Sequence, residues 1–184
     1  MRRGPPSCRR ASLPPKTNAA VELEAATEAR AALLQNLLEL YAHDLSGIFD
    51  LKVDTEGRFG YPRLPLYWTE PDRRFAFLLR SGTDIAGFAL ICRGSPISDD
   101  PHCHDMAEFF VLRPYRRSGL GAQAAHLLWQ HFRGPWTVRV AEGNRGGLAF
   151  WTSAISTYTA NAYEAASQMV GARAWVHFSF RTPG

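Results

Sequence analysis

The chain has 184 residues, of which 46% are hydrophobic and 21% charged, so it carries enough apolar side chains for one folded domain with a buried core. This composition excludes a wholly disordered chain, a collagen-like chain and a coiled coil. Five of the 21 basic residues precede the first acidic residue, which leaves 16 basic and 17 acidic side chains in residues 21–184 and a net charge of −1. A nucleic-acid partner is therefore not expected.

The first 20 residues contain four prolines and no acidic residue, and they lack the apolar core of a secretory signal. A disordered basic extension is favoured there over a transit peptide, with a single domain over residues 21–184.

Three cysteines at irregular spacing form neither a disulfide framework nor a zinc knuckle, and no apolar run approaches the roughly 20 residues that cross a bilayer. We expect a cytoplasmic protein with no membrane partner.

The first half of the chain predicts a helix, an irregular segment and a hairpin. Apolar residues at steps of three and four predict an amphipathic helix over Val21–Ile48. Residues 50–71 are rich in Gly, Pro and aromatic residues, and at most one short helix fits there, around Leu64–Thr69. Two apolar segments, Arg74–Arg80 and Ile85–Arg93, flank a Ser-Gly-Thr-Asp turn and should pair antiparallel.

The second half alternates strands and helices. Its predicted elements are a strand Met106–Leu112, a helix Gly119–Phe132, a strand Trp136–Ala141, a short helix Gly146–Ile155 and two final strand candidates, Tyr158–Tyr163 and Arg173–Arg181. This order predicts an α/β (α+β) fold with a mixed, largely antiparallel central sheet flanked by helices.

The segment after the third strand is a candidate anion site. Gly119 and Gly121 would let the backbone approach a ligand closely, and the N–H groups of the following helical turn are unpaired. Arg113, Arg116 and Arg117 would add positive charge around a phosphate. The alternative is that the glycines only form a turn and the arginines are a solvated cluster.

Two other phosphate-binding motifs fit this segment poorly. A Walker loop needs a lysine after its glycine, and the two lysines, Lys16 and Lys52, lie elsewhere. A dinucleotide G-x-G-x-x-A pattern begins at Gly119, with Glu142 as its acidic residue. However, six residues separate the strand from the first glycine, the preceding strands resemble a hairpin, and only about 40 residues follow Glu142.

The same segment resembles the GNAT superfamily of acyl-CoA-dependent N-acyltransferases. The family motif R/Q-x-x-G-x-G/A is met by Arg116, Gly119 and Gly121, and Val111 ends the central strand five residues before the arginine. The resemblance covers roughly residues 74–155 in element order. It implies a GNAT-like fold and transfer of an acetyl group from the co-substrate acetyl-CoA to a primary amine, by direct attack on the thioester.

The resemblance also implies which residues contact the cofactor. The amides from about Arg117 to Ala122 would hold the diphosphate, the backbone of Val111 on a bulged strand would bind the pantetheine, and Asn144 would touch the pantetheine arm where two strands splay apart. The cofactor-binding residues expected on this basis are Phe110, Val111, Leu112, Arg113, Arg116, Arg117, Ser118, Gly119, Leu120, Gly121, Ala122, Asn144 and Trp151.

The chain departs from the family at the residue that protonates the leaving thiolate. Seven residues after Asn144, where the family often has a tyrosine, stands Trp151, and an indole cannot serve as an acid at neutral pH. Tyr158 and Tyr163 are the nearest phenols, and Tyr158 is the candidate acid. Water or the substrate ammonium could serve instead, because a thiolate is a fair leaving group without help.

The resemblance also implies the candidate bases that take a proton from the amine, Glu108 and Asp105, because relatives often carry a carboxylate facing the amine at these positions. On an ideal strand these two carboxylates point to opposite faces, and a bulge could reverse either. Glu108 lies within an otherwise apolar run, which favours a functional role for its carboxylate, more than for that of Asp105, over a structural salt bridge or an edge position.

Other features leave alternatives open. The sequence His102-Cys103-His104 has no further ligand at a metal-binding spacing, so a solvated loop is favoured over a metal site. The aromatic segment Phe59–Trp68 either lines a substrate pocket or packs the first helix onto the sheet.

The alternative function is a non-catalytic acyl-CoA-binding or sensing module, which Trp151 supports; a nicotinamide- or flavin-binding protein is a more distant alternative. A homodimer also stays open.

Overall fold

The computed structural model describes residues 20–182, so the basic extension expected at 1–20 lies outside the described residues except for its last residue. The described chain forms one seven-stranded sheet in the order β1-β2-β3-β4-β5-β7-β6. The elements are β1 (Val21–Ala25), α1 (Ala31–Phe49), α2 (Leu66–Thr69), β2 (Arg74–Ser81), β3 (Asp84–Arg93), β4 (His104–Val111), α3 (Leu120–His131), β5 (Pro135–Ala141), α4 (Arg145–Thr159), β6 (Tyr163–Val170) and β7 (Arg173–Arg181).

The mixed, largely antiparallel sheet predicted from the sequence is confirmed. Strands β2 and β3 form the expected antiparallel hairpin, and among the strands within residues 20–182 only β4 and β5 run parallel. Both strands of that parallel pair are central, with β3 on one side and β7 on the other. Within residues 20–182, no helix combines the length and the apolar composition that crossing a bilayer requires.

The predicted helix over Val21–Ile48 is wrong at its N-terminal end. Val21–Ala25 is a strand that pairs antiparallel with β2, and the long helix begins only at Ala31. The sequence Val-Glu-Leu-Glu-Ala alternates with a period of two, which suits a strand as well as a helix over so short a stretch. The segment forms a strand because pairing with the open edge of β2 satisfies the backbone groups of both strands.

The predicted strand Tyr158–Tyr163 is also wrong. Helix α4 continues through Tyr158 to Thr159 and ends where Ala160 and Asn161 adopt left-handed backbone conformations; strand β6 starts at Tyr163. The helix is longer than predicted because its apolar face continues into the core beyond Ile155: Tyr158 packs against the hydrophobic cluster and Thr159 is buried, and this burial outweighs the β propensity of Tyr158.

The sheet has a hydrophobic cluster on each face. Helices α3 and α4 cover one face, with Leu128, Trp129 and Ile155 fully buried. Helices α1 and α2 cover the other face, where Leu34 and Leu38 are buried against the sheet. Strand β4 therefore runs between two packed layers, and each of its side chains belongs to one layer or the other.

A bulge interrupts the pairing of β3 with β4. Leu90 pairs with Glu108 and Ile91 with Met106, so Ala107 is an extra residue in β4. Near the same point the parallel pairing of β4 with β5 stops, since its last pair is Met106 with Val138. Beyond this pair the ladder stops although β4 runs on to Val111 and β5 to Ala141, so the facing backbone groups of the two strands do not pair; we call this unpaired stretch the gap between β4 and β5.

Candidate active site

The backbone of β4 turns polar groups toward this gap. The Leu112 N–H donates to the Ala86 carbonyl at 2.8 Å, in register with the β3–β4 ladder. Main-chain partners alternate along an antiparallel strand, so the N–H and C=O groups of Phe109 and Val111 point away from β3 and toward the gap. The gap is therefore lined by backbone donors and acceptors that β5 does not pair.

The segment after β4 presents a row of backbone amides. Gly119 has φ +86° and stands at the N-cap of α3, where no side chain caps the helix. Within residues 20–182, the N–H groups from Arg117 to Ala122 donate to no protein acceptor. The N-terminus of α4 differs, because Asn144 Oδ1 accepts the Gly147 N–H at 2.9 Å. The α3 end is thus uncapped within the described residues, and binding of an anion there stays a prediction.

Two of the three arginines beside this row are bound to the protein itself. Arg113 Nη2 lies 2.7 Å from Asp44 Oδ1, and Arg116 Nη2 lies 2.5 Å from Asp44 Oδ2. Burial opposes ionisation of Asp44, but the hydrogen bonds from Arg116 and Arg113 outweigh it and lower its pKa. Arg116 Nε also donates to the Val111 carbonyl at 2.6 Å. Of these three arginines, Arg117 is exposed, has φ +59° and forms no ion pair with the described residues.

Gly121 serves packing as well as backbone exposure. A Cβ at this position would lie 3.1 Å from Phe150 Cε2 and 3.4 Å from Val111 Cγ2, so a side chain at position 121 would point toward the protein interior. The sequence analysis expected Gly121 to let the backbone approach a ligand closely. In the structure, the absence of a side chain at Gly121 instead allows close packing against Phe150 of α4. The Gly121 N–H remains in the open row of amides.

Glu108 is half-buried on the face covered by α1 and α2. Tyr61 Oη donates to its Oε1 at 3.0 Å, and the hydroxyl of Tyr41 also interacts with this carboxylate. Burial raises the pKa of Glu108, and the two tyrosines with Arg139 oppose the rise only in part. Burial and the nearby carboxylate likewise raise the pKa of Tyr61. Glu108 is consequently a carboxylate that accepts a proton more readily than one in water.

Asp105 lies on the same face as Glu108, because the extra residue in β4 reverses the alternation between them. Their partners, Cys92 and Leu90, are two residues apart on β3 and share that face. Asp105 is 2% exposed and forms a bidentate ion pair with Arg139, with Nε–Oδ1 3.1 Å and Nη2–Oδ2 2.7 Å. Its oxygens are therefore committed to a structural ion pair.

The residues predicted around the thiolate lie on the opposite face of the sheet. Trp151 is 7% exposed, and its ring centroid lies 5.1 Å from that of Phe109 and 4.8 Å from that of Phe150. Tyr158 follows two helical turns later and packs 5.0 Å from both His126 and Trp129. The structure does not bring Tyr158 to Glu108 or to the gap.

The aromatic segment Phe59–Trp68 packs the first helix onto the sheet, which is one of its two predicted roles, and lining a substrate pocket stays a prediction. Tyr67 is buried against the sheet together with Leu64, which packs the helical layer. Tyr61 and Trp68 line a surface depression beside the start of α1. The Phe59 and Gly60 N–H groups donate to Glu39 at 2.7 and 3.0 Å, and this contact holds the segment where Tyr61 reaches Glu108.

The solvated loop predicted at His102-Cys103-His104 is wrong for two of its residues. Cys103 and His104 are buried, because β4 begins at His104 and carries it into the core. The His104 ring lies 5.3 Å from Phe132 and 5.2 Å from Trp136, and neither ring nitrogen has a hydrogen-bond partner within residues 20–182. That part of the chain also contains no group of three or more potential metal ligands.

Sequence reasoning missed three polar side chains of this region. Asp44, Glu39 and Tyr41 all lie on α1, and their partners are distant in the chain, such as Arg116, which follows Asp44 by 72 residues. No local spacing relates them to the motif after β4. The one available signal is that acidic residues interrupt an otherwise apolar helix, which by itself indicates only a solvent-facing side.

Comparison with known proteins agrees with this geometry. Residues 34–154 match the acetyltransferase (GNAT) family. The fold resembles an acetyltransferase from Thermus thermophilus, with 17% identity and a TM-score of 0.62 over 88% of this chain and 97% of that one. It also resembles spermidine N-acetyltransferase from Vibrio cholerae in complex with CoA and spermine, with 8% identity and a TM-score of 0.64 over 89% and 96%.

A third similar structure is yncA from Salmonella typhimurium with its cofactor acetyl-CoA, at 14% identity and a TM-score of 0.60 over 88% of this chain and 94% of that one. At these identities the structures establish a shared fold. No curated protein sequence matches the chain.

Proposed function

Because the chain belongs to the GNAT family of acetyltransferases, we propose that it transfers an acetyl group from acetyl-CoA to a primary amine. The observation that carries this proposal is the open row of amides from Arg117 to Ala122, which follows directly on the gap between β4 and β5. The Vibrio cholerae structure, which contains CoA and spermine, supports a CoA-based co-substrate on this fold.

The row of amides would bind the diphosphate of the cofactor. Backbone N–H groups at a helix N-terminus combine hydrogen bonds with the positive end of the helix dipole, so they favour a doubly charged anion. Arg117 would add a side-chain charge, since Arg113 and Arg116 are held by Asp44. The diphosphate site would thus depend mainly on backbone groups, with one arginine at its edge.

The gap between β4 and β5 would receive the pantetheine arm. The Val111 carbonyl already accepts Arg116 Nε, which leaves the Val111 N–H as its polar group for a ligand. The Phe109 N–H faces the same gap and is the donor we assign to the oxygen that gains negative charge when the thioester is attacked. Asn144 would approach the arm through Nδ2, because its Oδ1 caps α4.

Glu108 would accept the proton of the attacking amine. Acetyl-CoA supplies an acyl group activated as a thioester, and the amine must be neutral to attack it. A half-buried carboxylate with a raised pKa is a better proton acceptor than an exposed one, and Tyr61 orients it. Asp105 would have a structural role, because Arg139 and Thr137 occupy its oxygens.

No protein acid is assigned to the leaving thiolate. Tyr158 packs on the far face of the sheet, and Trp151 has no acidic proton at neutral pH. Water or the proton released by the amine would serve, which is feasible because a thiol has a pKa near 8.5.

The proposal is tested by measuring CoA release from acetyl-CoA across a panel of primary amines. We expect turnover with at least one amine, and CoA binding at least about a hundredfold tighter than that of pantetheine, which lacks the diphosphate. Equal binding of CoA and pantetheine would contradict the assignment of the amide row.

A non-catalytic acyl-CoA-binding module is the second candidate, favoured by the buried Trp151 where the family often has a tyrosine. Tight CoA binding without turnover on any amine would select it.

A further inference from the structure

Arg139 connects β5 to β4 at the residue where the gap between the two strands begins. It follows Val138, the last residue of β5 that pairs with β4. Its guanidinium forms a bidentate ion pair with Asp105 of β4, with Nε 3.1 Å from Oδ1 and Nη2 2.7 Å from Oδ2. Thr137 Oγ1 also donates to Asp105 Oδ1, at 2.9 Å. Arg139 is therefore fixed against β4, although the backbones of the two strands no longer pair there.

This ion pair lies on the same face of the sheet as Glu108. The extra residue in β4, Ala107, places Asp105 and Glu108 on one face, and the ion pair keeps the guanidinium of Arg139 on that face. His177 of β7 lies there as well, because it pairs directly with Arg139. A positive charge held on this face favours the ionised form of a carboxylate beside it.

Several titratable or charged groups surround Glu108. They are Asp105 on its own strand, Tyr41 of α1, Tyr61 of the segment before α2, Tyr67 of α2 and Arg139 of β5, while Cys92 of β3 lies behind Tyr67. Burial raises the pKa of all three tyrosines, so they are neutral donors. Burial also raises the pKa of Glu108, and among these neighbours Arg139 provides the positive charge that opposes the rise.

On the basis of the proposed function, we propose that Arg139 is a positioning residue for acetyl transfer, which Asp105 holds in place and which keeps the Glu108 carboxylate ionised for the incoming amine. Without a cation nearby, a half-buried carboxyl group is more often protonated, and the protonated form cannot accept the proton of the amine. Asp105 is a like charge for Glu108 and opposes Arg139 there. The two members of one ion pair should therefore act on Glu108 in opposite directions.

Titration of Glu108 in the protein alone tests the proposal without any substrate. NMR of protein labelled at the side-chain carboxyl carbon of glutamate, with Glu108→Gln to assign the signal, gives the pH midpoint of this one group. We expect Arg139→Gln to raise the midpoint and Asp105→Asn to lower it, each by at least about 0.5 pH unit. Midpoints that stay unchanged or move in the same direction would overturn the proposal, because a purely structural ion pair is broken equally by either change.

Arg139→Lys separates the charge from the bidentate contact. It keeps the charge and loses the planar fork, so the midpoint should stay within about 0.3 pH unit of the wild type. A rise as large as that in Arg139→Gln would overturn the proposal. Arg139→Gln leaves the buried Asp105 unpaired, which can prevent folding. In that case the fall in Asp105→Asn decides, and its absence would overturn the proposal.

Arg181→Gln is the matched control. Arg181 is an exposed arginine at the end of β7, on the same sheet as Arg139, so its removal should leave the midpoint of Glu108 unchanged. A midpoint that rises as far as in Arg139→Gln would show a general charge effect and overturn the assignment to Arg139.

The pH dependence of kcat/KM separates this inference from the proposed function. We expect the acidic limb to move with the NMR midpoint, to higher pH in Arg139→Gln and to lower pH in Asp105→Asn. Shifted midpoints without acetyl transfer to any amine would support the effect of Arg139 on Glu108 and overturn the transfer activity. Transfer with the same acidic limb in every variant would support the activity and overturn the positioning role. Neither transfer nor shifted midpoints would overturn both.

Discussion

Asp44 of α1 binds Arg116 through Nη2 and Oδ2 at 2.5 Å and so ties the first helix to the loop that follows β4. The same carboxylate holds Arg113, so one acidic residue pairs with two of the three arginines beside the open amides and offsets one of their two positive charges. The loop is therefore less positive than its sequence implies, and its capacity for a diphosphate depends on backbone groups.

Replacing Asp44 with Asn should release both arginines. Exposed ion pairs typically contribute only about 0–1 kcal/mol, so the melting temperature should change little. The added positive charge should tighten CoA binding about threefold at low salt and steepen its salt dependence, which titrations at two ionic strengths would measure. Weaker binding at both ionic strengths would instead show that Asp44 maintains the shape of the loop.

Arg117 should contribute to CoA affinity directly. Arg117→Gln removes its charge while keeping a side chain at the strained φ of +59°, so we expect the Kd of CoA to rise about tenfold. The matched control is Arg133→Gln, an exposed arginine after the other end of α3, which should leave the Kd unchanged. A similar loss in both variants would indicate a general charge effect.

Glu108→Gln should lower kcat most at neutral pH and least at alkaline pH, where the amine has already lost its proton. Because burial raises the pKa of Glu108 in the folded protein, ionisation of this group opposes folding above its pKa, and the neutral amide should keep or raise the melting temperature. Rates measured from pH 7 to 10, with melting curves on the same samples, would check both effects. A loss of rate that is constant over this range would favour a structural role.

The free energy of unfolding should decrease as the pH falls below about 6.5, in part because of His104. Burial, followed by the charge of Arg93, lowers the pKa of His104 in the folded state, so the unfolded chain takes up the proton first. The contribution is fully present above the unfolded pKa and is lost as the pH falls below it. Burial and Arg139 lower the pKa of His177 in the same direction.

Urea denaturation at pH 7.5 and 5.5 would measure this decrease. His104→Phe should make it smaller, because a phenylalanine ring can still pack against Phe132 and Trp136 while position 104 no longer carries a base to protonate. A decrease equal to that of the wild type would assign the pH dependence to other groups, His177 first.

Two glycines should respond oppositely to alanine. A Cβ at Gly87 would lie 2.0 Å from the Phe110 carbonyl oxygen, a backbone atom of β4, so Gly87→Ala should destabilise the protein by about 3 kcal/mol or more. A Cβ at Gly47 in α1 meets no atom within 4 Å, so Gly47→Ala should stabilise it by about 0.5–1 kcal/mol through helix propensity. Chemical denaturation measures both, and a mild effect at Gly87 would show that β4 can shift at the site.

What the sequence predicts well is local. The glycines and arginines after β4 form a contiguous pattern, and the apolar hairpin from Arg74 to Arg93 needs only its own turn to define it. The strand at Val21–Ala25 was missed because five residues are too few to separate a period of two from a helical period, and its partner β2 lies 49 residues or more further along the chain.

The polar contacts of the site could not be predicted for the same reason. Tyr61 and Glu108 are 47 residues apart, and their hydrogen bond requires both the bulge in β4 and the Glu39 contact that positions the aromatic segment. The strand predicted at Tyr158–Tyr163 was wrong because helix α4 runs further than its pattern indicated, so that Tyr158 packs beside Trp129. The errors at Val21–Ala25 and Tyr158–Tyr163 thus concern secondary structure, whereas the missed polar contacts concern tertiary arrangement.

Ala107 gives β4 one residue more than its partner β3 can match. Deleting it would leave Asp105 and Glu108 on their present face, since the remaining residues already alternate in register, but it would straighten the strand. A straight β4 could continue its parallel ladder with β5, and the sheet would close along its middle. A single inserted residue is thus the difference between an uninterrupted sheet and one with an entrance at its centre.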